Sequence, residues 1–423
     1  MKYEEPDNHD PDIDIIRNRL QAGKPVNLKT DIGNRALCEA AEQGNLDFMT
    51  FLLDNGADSN GYFDPEKARQ QYAEIFSKDA WYMTAENDGD EDDLKEIKEL
   101  EKILEDDSEG LQEIEADQLE QYISAPCSHE IPLFMAAQSG STNCVSLLIN
   151  RGADVNKLDN IKRTALYYAT NEEVINLLIK QGLSIENNNW IGYTPLIDAI
   201  SDGPDAIPQI EALIASGADV NATHDHGFTV FMTAVGCLER DRRVLETLIE
   251  AGADPHAVSE LGWNAFHAAV DADGEAGEEE SVRSILGYLH ELGININHKN
   301  NSGVSPLGIA IEMGIPIEVR TLCELGADVN AIESRFVWRK GKTIKIQDPL
   351  IYMAIADSYE PVENLQILID FYANLNTVDH QGRSPIESAC ADLANLNPNS
   401  KNKYTQKNIH QLKQCIQILQ NAS

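Results

Sequence analysis

Short apolar clusters at helical spacing recur along most of the chain, and polar turns that contain glycine separate them. In the stretch from Leu196 to Ile214, for example, two apolar clusters flank Gly203. Apolar residues at this spacing predict amphipathic helices, and a glycine at the boundary is typical of a helix C-terminus. The pattern therefore predicts consecutive pairs of short helices.

Two phrases recur in a fixed phase along the chain. The first is Gly-Ala-Asp, a β-branched residue and Asn, as in Gly152–Asn156 and Gly326–Asn330. The second is Gly-x-Thr/Ser-Pro-Leu-x-x-Ala, as in Gly192–Ala199 and Gly303–Ala310. Successive proline positions of the second phrase are 30 to 43 residues apart, except for a first step of 96. The residues at this position, which is not proline in every copy, are Ala36, Pro132, Ala165, Pro195, Val230, Ala265, Pro306, Pro349 and Pro385.

The two phrases resemble those of the ankyrin repeat family, which has a period of about 33 residues and the phrase Thr-Pro-Leu-His-x-Ala. The resemblance covers roughly residues 31–60 and 131–390. It implies an all-α repeat solenoid of about nine helix-turn-helix units with β-turn fingers, and a protein-binding role. Only Ala265–Ala269 keeps the family's histidine, at His267. Since that histidine forms structural hydrogen bonds in the family, its loss elsewhere is expected to weaken the fingers.

The register divides the chain into segments and marks where it departs from the repeat. The predicted segments are an N-terminal capping half repeat at 1–30, a repeat at 31–60, an acidic helical insertion at 61–130, the main array at 131–390 and a C-terminal capping helix at 391–423. Enlarged loops of the main array are predicted at 203–208, 271–280 and 331–348. Alternation around Lys340-Gly341 predicts that the last loop is a β-hairpin. The insertion is either a solvated helical excursion or a partner-binding arm, and both alternatives stay open.

The charge of the chain restricts its partners. The sequence contains 33 Lys and Arg against 71 Asp and Glu, a formal net charge of −38. Residues 61–130 alone contain 22 acidic and 6 basic residues. Phosphate backbones and anionic membranes are bound mainly through basic residues, so we expect neither nucleic acid nor a membrane as a direct partner. We expect a basic protein partner, because an acidic surface accelerates association with it.

Cysteine and hydropathy patterns point to a reducing compartment. The seven cysteines are odd in number and form no Cys-x-x-Cys pair, which disfavours a disulfide framework and a zinc ribbon. Met1–Asp14 contains no apolar signal segment, and the longest apolar run, Leu350–Ala356, is far shorter than the ~20 residues of a membrane span. His224 and His226 have no further ligand at metal spacing. We therefore expect a cytoplasmic monomer without metal or cofactor.

The residue before the helix-capping Thr or Ser of each repeat is expected on the finger surface. Tyr193, Phe228 and Trp263 occupy this position at steps of 35 residues. An aromatic anchor with a charged rim is typical of a binding hot spot, although each ring could instead pack its finger against a neighbour. The same two alternatives apply to the aromatic and basic residues of the predicted hairpin. The predicted partner-binding residues are Arg163, Trp190, Tyr193, Asp202, Asp205, His226, Phe228, Trp263, Asp271, Asp273, Phe336, Trp338 and Arg339.

Together these features predict a non-enzymatic binding protein. The sequence contains no phosphate-binding glycine loop, nucleophile elbow or His-Glu-x-x-His motif. The leading hypothesis is an acidic inhibitor or immunity protein that neutralises a basic partner such as a toxin or a nuclease. The alternatives are an adaptor or secreted bacterial effector that scaffolds host proteins, and an enzyme whose site lies in residues 61–130.

Overall fold

The computed structural model describes most of the predicted repeat array. The described residues are 31–61, 131–203, 206–237, 242–270, 279–339, 342–356, 358–397 and 403–422. The predicted N-terminal half repeat and all but the first residue of the acidic insertion therefore lie outside the described residues.

The described residues form 17 α-helices and one two-stranded sheet. The helices are α1 (Asp31–Glu42), α2 (Leu46–Asp54), α3 (Pro132–Gln138), α4 (Thr142–Asn150), α5 (Glu172–Lys180), α6 (Pro195–Ser201), α7 (Ile207–Ala215), α8 (Val230–Cys237), α9 (Arg242–Glu250), α10 (Ala265–Val270), α11 (Glu279–Glu291), α12 (Pro306–Met313), α13 (Pro316–Glu324), α14 (Leu350–Ala356), α15 (Pro361–Asp370), α16 (Pro385–Asn395) and α17 (Lys403–Ala422). A 3-10 turn at Ala165–Tyr168 takes the place of a first helix before α5. In the described part of the chain, these elements form nine consecutive pairs, which confirms the predicted all-α repeat architecture.

Local sequence signals set the ends of the first helix in several pairs. Ser305 accepts a hydrogen bond from the N–H of Gly308 and precedes the proline that begins α12, as the sequence predicts. α12 ends at Gly314, whose left-handed φ of 69° lets the chain reverse into α13. A Cβ at this glycine would lie 2.7 Å from the Cβ of Tyr359, so the turn also needs the missing side chain.

The contacts divide the chain into two compact units. The first is Met1–Pro195 with Ala215–Gly217, and the second is Leu196–Ile214 with Ala218–Ser423. In the second unit, α8, α10, α12, α14 and α16 pack on one another in sequence order, and α9, α11, α13, α15 and α17 form a parallel series. Phe231, Phe266 and Tyr352, which are fully buried, fill the first series.

In the first unit, the first repeat packs directly on the second despite the insertion between them. α1 packs on α3, and α2 packs on α4. Asn60 Oδ1 accepts the N–H of Asp154 at 2.6 Å, and Asn60 Nδ2 lies 3.3 Å from the carbonyl of Gly152. An ion pair of 2.8 Å also joins Arg151 to Asp54. The insertion therefore lies, along the chain, between Gly61 and Ile131, at the position of a finger.

The terminal Asn of the Gly-Ala-Asp phrase joins neighbouring repeats in the second unit as well. Asn221 donates to the carbonyl of Gly252 at 3.0 Å and accepts from the N–H of Asp254 at 2.8 Å. Asn297 Oδ1 accepts the backbone N–H of Asp328, and Asn330 Oδ1 accepts the backbone N–H of Asn374. The recurrent Asn is thus a contact between repeats rather than only a turn former.

Two strands occupy the enlarged loop between α13 and α14. β1 (Ile332–Arg339) pairs antiparallel with β2 (Lys342–Pro349), from Ile332 opposite Pro349 to Arg339 opposite Lys342. This confirms the hairpin predicted from the alternation around Lys340-Gly341.

Two sequence assignments near the C-terminus differ from the structure. Pro349 ends β2, and the helix begins at Leu350, so the register assigned there from proline is wrong by one residue. Proline misled the assignment because it closes the hairpin rather than opening the helix. α16 continues past residue 390, so the last repeat extends beyond the predicted segment boundary, and the closing helix α17 begins at Lys403.

We expect Asn221→Ala to lower the free energy of unfolding by about 1–2 kcal/mol, because two hydrogen bonds between repeats are lost. The measurement is urea unfolding followed by circular dichroism. Asn156→Ala is the matched control, since Asn156 holds the same motif position but makes no side-chain hydrogen bond within the described residues. Equal stability of the two variants would contradict the proposed contact between repeats.

Candidate protein-binding surface

The finger turns connect the end of one repeat to the first helix of the next. They span residues 157–163 and 187–193 in the first unit, and 222–228, 257–263, 298–304 and 377–383 in the second. In five of them, at 157–163, 187–193, 257–263, 298–304 and 377–383, a polar side chain accepts at least one backbone hydrogen bond from its own turn. Asp159 Oδ1, for example, accepts the N–H groups of Ile161 and Arg163 at 3.0 and 2.8 Å.

Backbone hydrogen bonds also join successive finger turns. In the first unit, the N–H of Trp190 donates to the carbonyl of Ile161 at 3.0 Å. In the second unit, the N–H of Glu260 donates to the carbonyl of His226 at 2.8 Å, and the N–H of Asn301 donates to the carbonyl of Leu261 at 3.0 Å. Within each unit the fingers therefore present a surface with a fixed backbone.

The first unit exposes large apolar side chains on this surface. Trp190 is 43% exposed, Ile191 40% and Leu158 41%. Trp190 and Ile191 are neighbours on one finger, and Leu158 lies on the preceding finger. Trp190 is a predicted partner-binding residue, and its exposure is compatible with that role.

Arg163 has a structural role in its finger. Its Nε donates to the buried Asp159 Oδ2 at 3.0 Å, and its guanidinium lies 4.7 Å from the ring centroid of Tyr168. Tyr168 Oη donates to the same carboxylate oxygen at 2.7 Å. Only an edge of the Arg163 side chain is therefore presented to a partner.

Tyr193, the first ring of the predicted aromatic series, is half-buried. Its carbonyl lies 2.7 Å from Tyr167 Oη, which reaches forward from the preceding repeat. His267 Nε2 lies 3.1 Å from the carbonyl of Val304, and Tyr352 Oη donates to the carbonyl of Arg383 at 2.8 Å. These three donors hold the same position in their repeats and reach equivalent carbonyls.

Some fingers therefore keep this hydrogen bond although their repeat lacks the family histidine. The expectation of weakened fingers is wrong for the repeats that contain Tyr167 and Tyr352, because a phenol hydroxyl spans the same gap as an imidazole. The sequence offered a signal for this substitution. Both tyrosines lie three residues after the position of Thr164 or its equivalent, as His267 does after Asn264.

In the second unit, Phe228 and Trp263 lie side by side. Their ring centroids are 5.5 Å apart, and both side chains are half-buried. The ring centroids of His224 and Phe228 are 5.9 Å apart, and those of Trp263 and His267 are 5.8 Å apart. Each ring therefore packs partly against its neighbour, and the remaining part of the ring faces solvent. His226 is exposed, with a left-handed φ of 58°.

Burial lowers the pKa of both histidines at the ends of this ring series. The pKa of His267 falls to about 4, mainly through desolvation, although its hydrogen bond to Val304 acts in the opposite direction. Desolvation also lowers the pKa of His224, whose Nε2 lies 2.8 Å from Thr233 Oγ1. These two imidazoles are therefore uncharged at neutral pH.

The remaining predicted residues divide into two groups. Asp202 is exposed at the end of α6, where its N–H donates to the carbonyl of Asp198. Phe336, Trp338 and Arg339 lie in β1, but their side chains, like Asp205, Asp271 and Asp273, lie outside the described residues. Their roles stay predictions.

Other exposed apolar residues were missed by the sequence analysis. Val258, Leu261 and Val378 are exposed on fingers of the second unit, as are Leu158 and Ile191 in the first. Aligning the finger turns by their capping residue places Leu158, Val258 and Val378 at the same position, so a position-by-position comparison of fingers would have found them.

The described residues contain neither a group of His, Cys, Asp and Glu suited to a metal ion nor a helix with the length and hydropathy of a membrane span. The possible enzyme site in residues 61–130 lies outside the part of the chain that the structure describes.

A family model described as ankyrin repeats (3 copies) matches residues 111–189 and 231–333. The chain therefore contains ankyrin repeats. Ankyrin repeats form a scaffold that binds proteins and is generally not enzymatic. Its finger surface is therefore a candidate site for a protein partner.

This ankyrin repeat protein is similar to short parts of curated proteins. It is 31% identical over 107 residues to ankyrin repeat and SOCS box protein 6 of Pongo abelii, covering 24% of the chain and 25% of that protein. It is 32% identical over 117 residues to the B-cell lymphoma 3 protein homolog of Mus musculus, covering 26% and 24%. The matches thus span about a quarter of each relative. The solved ankyrin repeat domain of human ASB11 superposes with a TM-score of 0.38 at 20% identity, covering 69% of this chain and 97% of that domain.

We expect the contribution of His267 to the stability of the folded chain to decrease as the pH is lowered. Since its pKa is about 4 in the folded chain and 6.5 in the reference state, the unfolded chain binds the extra proton between these values. The contribution is complete above pH 6.5 and is lost as the pH falls towards 4, and the loss amounts to about 2.5 kcal/mol at pH 4.5. Urea unfolding of His267→Gln should therefore show a smaller deficit against the natural chain at pH 4.5 than at pH 7. The same deficit at both pH values would contradict the assignment.

Proposed function

We propose that this ankyrin repeat protein is an inhibitor that binds a basic protein partner. The observation that carries the proposal is the pair of half-exposed rings, Phe228 and Trp263, on a hydrogen-bonded finger surface. Partly exposed aromatic rings on a fixed backbone provide contact area at a low cost in conformational entropy.

Carboxylates around these rings support a basic partner. Asp225 and Glu260 are exposed on the same two fingers, and Asp254 is exposed at the base of the second. The net charge of −38 adds a long-range attraction that accelerates encounter with a cationic protein. An acidic surface that covers a basic active site would inhibit it, so a toxin or nuclease is the partner class that we propose.

The proposal includes a cytoplasmic monomer without cofactor. The six cysteines within the described residues form no disulfide bond, and Cys38, Cys144, Cys323 and Cys415 are buried. Burial raises the pKa of Cys323 to about 12, so this thiol is protonated and unreactive. Free buried thiols are typical of proteins that work under reducing conditions.

An adaptor is the second candidate. Three of the matched relatives, from Pongo abelii, Homo sapiens and Mus musculus, are named for a SOCS box in addition to ankyrin repeats. The combination of ankyrin repeats with a second named element in these relatives favours an adaptor role for the present chain. An adaptor would bind its partner without abolishing the partner's activity, which separates it from an inhibitor.

We expect Phe228→Ala combined with Trp263→Ala to weaken partner binding at least roughly tenfold, because both rings of the proposed site are lost. The partner is first captured from the source cells at low salt and identified by mass spectrometry, and its affinity is then measured by surface plasmon resonance. Tyr372→Ala combined with Tyr404→Ala is the control, since both tyrosines are exposed outside the fingers.

Three outcomes would contradict the proposal. They are unchanged affinity of the folded Phe228 and Trp263 double variant, an association rate that does not fall with salt, and a partner that keeps its activity when bound. The last would favour the adaptor instead.

A further inference from the structure

The β1–β2 hairpin has a charge opposite to that of the rest of the chain. Residues 335–346 contain five Lys or Arg and no Asp or Glu, whereas the chain has a net charge of −38. The hairpin stands in place of an ordinary finger, between the finger turns 298–304 and 377–383. The proposed binding of a basic partner does not use this element.

The base of the hairpin is held by a buried ionic cluster. Arg335 is 8% exposed, and its Nε and Nη2 lie 3.1 and 3.0 Å from Oδ2 of the fully buried Asp348. His380 Nδ1 contacts the same carboxylate at 2.9 Å, and the His380 N–H donates to Asp348 Oδ1 at 2.6 Å. Breaking such a pair leaves a buried charge alone, so the base is rigid.

The opposite side of the base is tied to the preceding finger. Glu333 accepts the N–H of Ser305 at 3.0 Å, and the N–H of Ser334 donates to the carbonyl of Gly303 at 3.1 Å. Burial raises the pKa of Glu333, although Ser305 and Lys299 oppose that change. Both strands therefore start from a fixed position on the second unit.

The strand register shows which backbone groups face outward. In an antiparallel pair, alternate residues direct their N–H and C=O groups to the partner strand. Since the Ser334 N–H bonds outside the hairpin, Phe336 and Trp338 follow it on the outer edge of β1, and Thr343 and Lys345 lie opposite them on the outer edge of β2. Within the described residues, these four residues make no backbone hydrogen bond to another element. An open edge is a template for an added strand.

The basic charge of the hairpin extends beyond its base. Besides Arg335, which pairs with Asp348, the two strands contain three basic residues, Arg339, Lys342 and Lys345. Arg339 is four residues from Arg335, about 13 Å along the strand at ~3.3 Å per residue. The Debye length at physiological ionic strength is about 8 Å, so the acidic surface at the base is largely screened there.

We propose that the β1–β2 hairpin binds an acidic polypeptide segment, which adds as a strand to the edge of β2 and places its carboxylates against the basic residues of the hairpin. A segment of a few residues contacts the hairpin alone. A nucleic acid or an anionic bilayer is a larger polyanion that would also meet the acidic surface of the chain and be repelled.

The test measures fluorescence anisotropy of a short labelled peptide of alternating Glu and Val against the full chain. We expect Arg339→Glu combined with Lys342→Glu to weaken binding at least roughly tenfold. Lys180→Glu combined with Lys413→Glu is the matched control, because it changes the net charge equally at exposed positions elsewhere. The control should bind like the natural chain, and a Lys-Val peptide should not bind.

A second pair of variants tests strand addition. Thr343→Pro removes an outward N–H but leaves the bonds between β1 and β2, whereas Thr343→Ala keeps that N–H. We expect only the proline variant to lose binding, with circular dichroism confirming that both fold. Three results would overturn the proposal: full binding by the charge-reversed hairpin, equal binding by the two Thr343 variants, or tighter binding of duplex DNA or anionic vesicles than of the Glu-Val peptide. Since this probe is acidic, its outcome is independent of whether a basic partner exists.

Discussion

The fold depends on burial that neighbouring helix pairs share. One pair of short helices cannot bury its own apolar residues, so each pair is stable only against the next. Phe266 in α10 and Val282 in α11 are fully buried because elements on both sides cover them. The polar contacts between repeats, such as those of Asn221, then fix how far and at what angle one pair lies on the next.

The fingers combine a fixed backbone with variable side chains. Their capping residues differ, as with Asp159, Ser259 and Asn300, yet each accepts an N–H from the same position of its turn. Neighbouring carbonyls are bonded from the preceding repeat by Tyr167, His267 or Tyr352. Because the backbone is held in these ways, residues such as Trp190 and Leu261 can be exposed without loosening the turn, as a recognition surface requires.

Much of this architecture follows from the sequence, since helix pairs, caps and the hairpin arise from local patterns. Ser305 followed by proline predicts a helix start, and alternation around Lys340-Gly341 predicts a strand pair. Contacts between residues distant in sequence could not be predicted in this way. The hydrogen bond from Tyr352 Oη to the carbonyl of Arg383, for example, depends on the next repeat. Arg163 and Asp159 are only four residues apart, but their ion pair uses a charge that looked available to a partner. Proline was misleading at Pro349 because it serves strand ends as well as helix starts.

The direct bond between Asn60 and Asp154 has a consequence for how such chains change during evolution. Seventy residues, 61–130, occupy the place in the chain where the finger turns of other repeats have seven. Closing the longer loop costs only about 2 kcal/mol more, because loop entropy grows with the logarithm of length. A finger is therefore a point at which new sequence can enter the gene without disturbing the register of the later repeats, so the array can gain parts while its stacking surfaces are inherited unchanged.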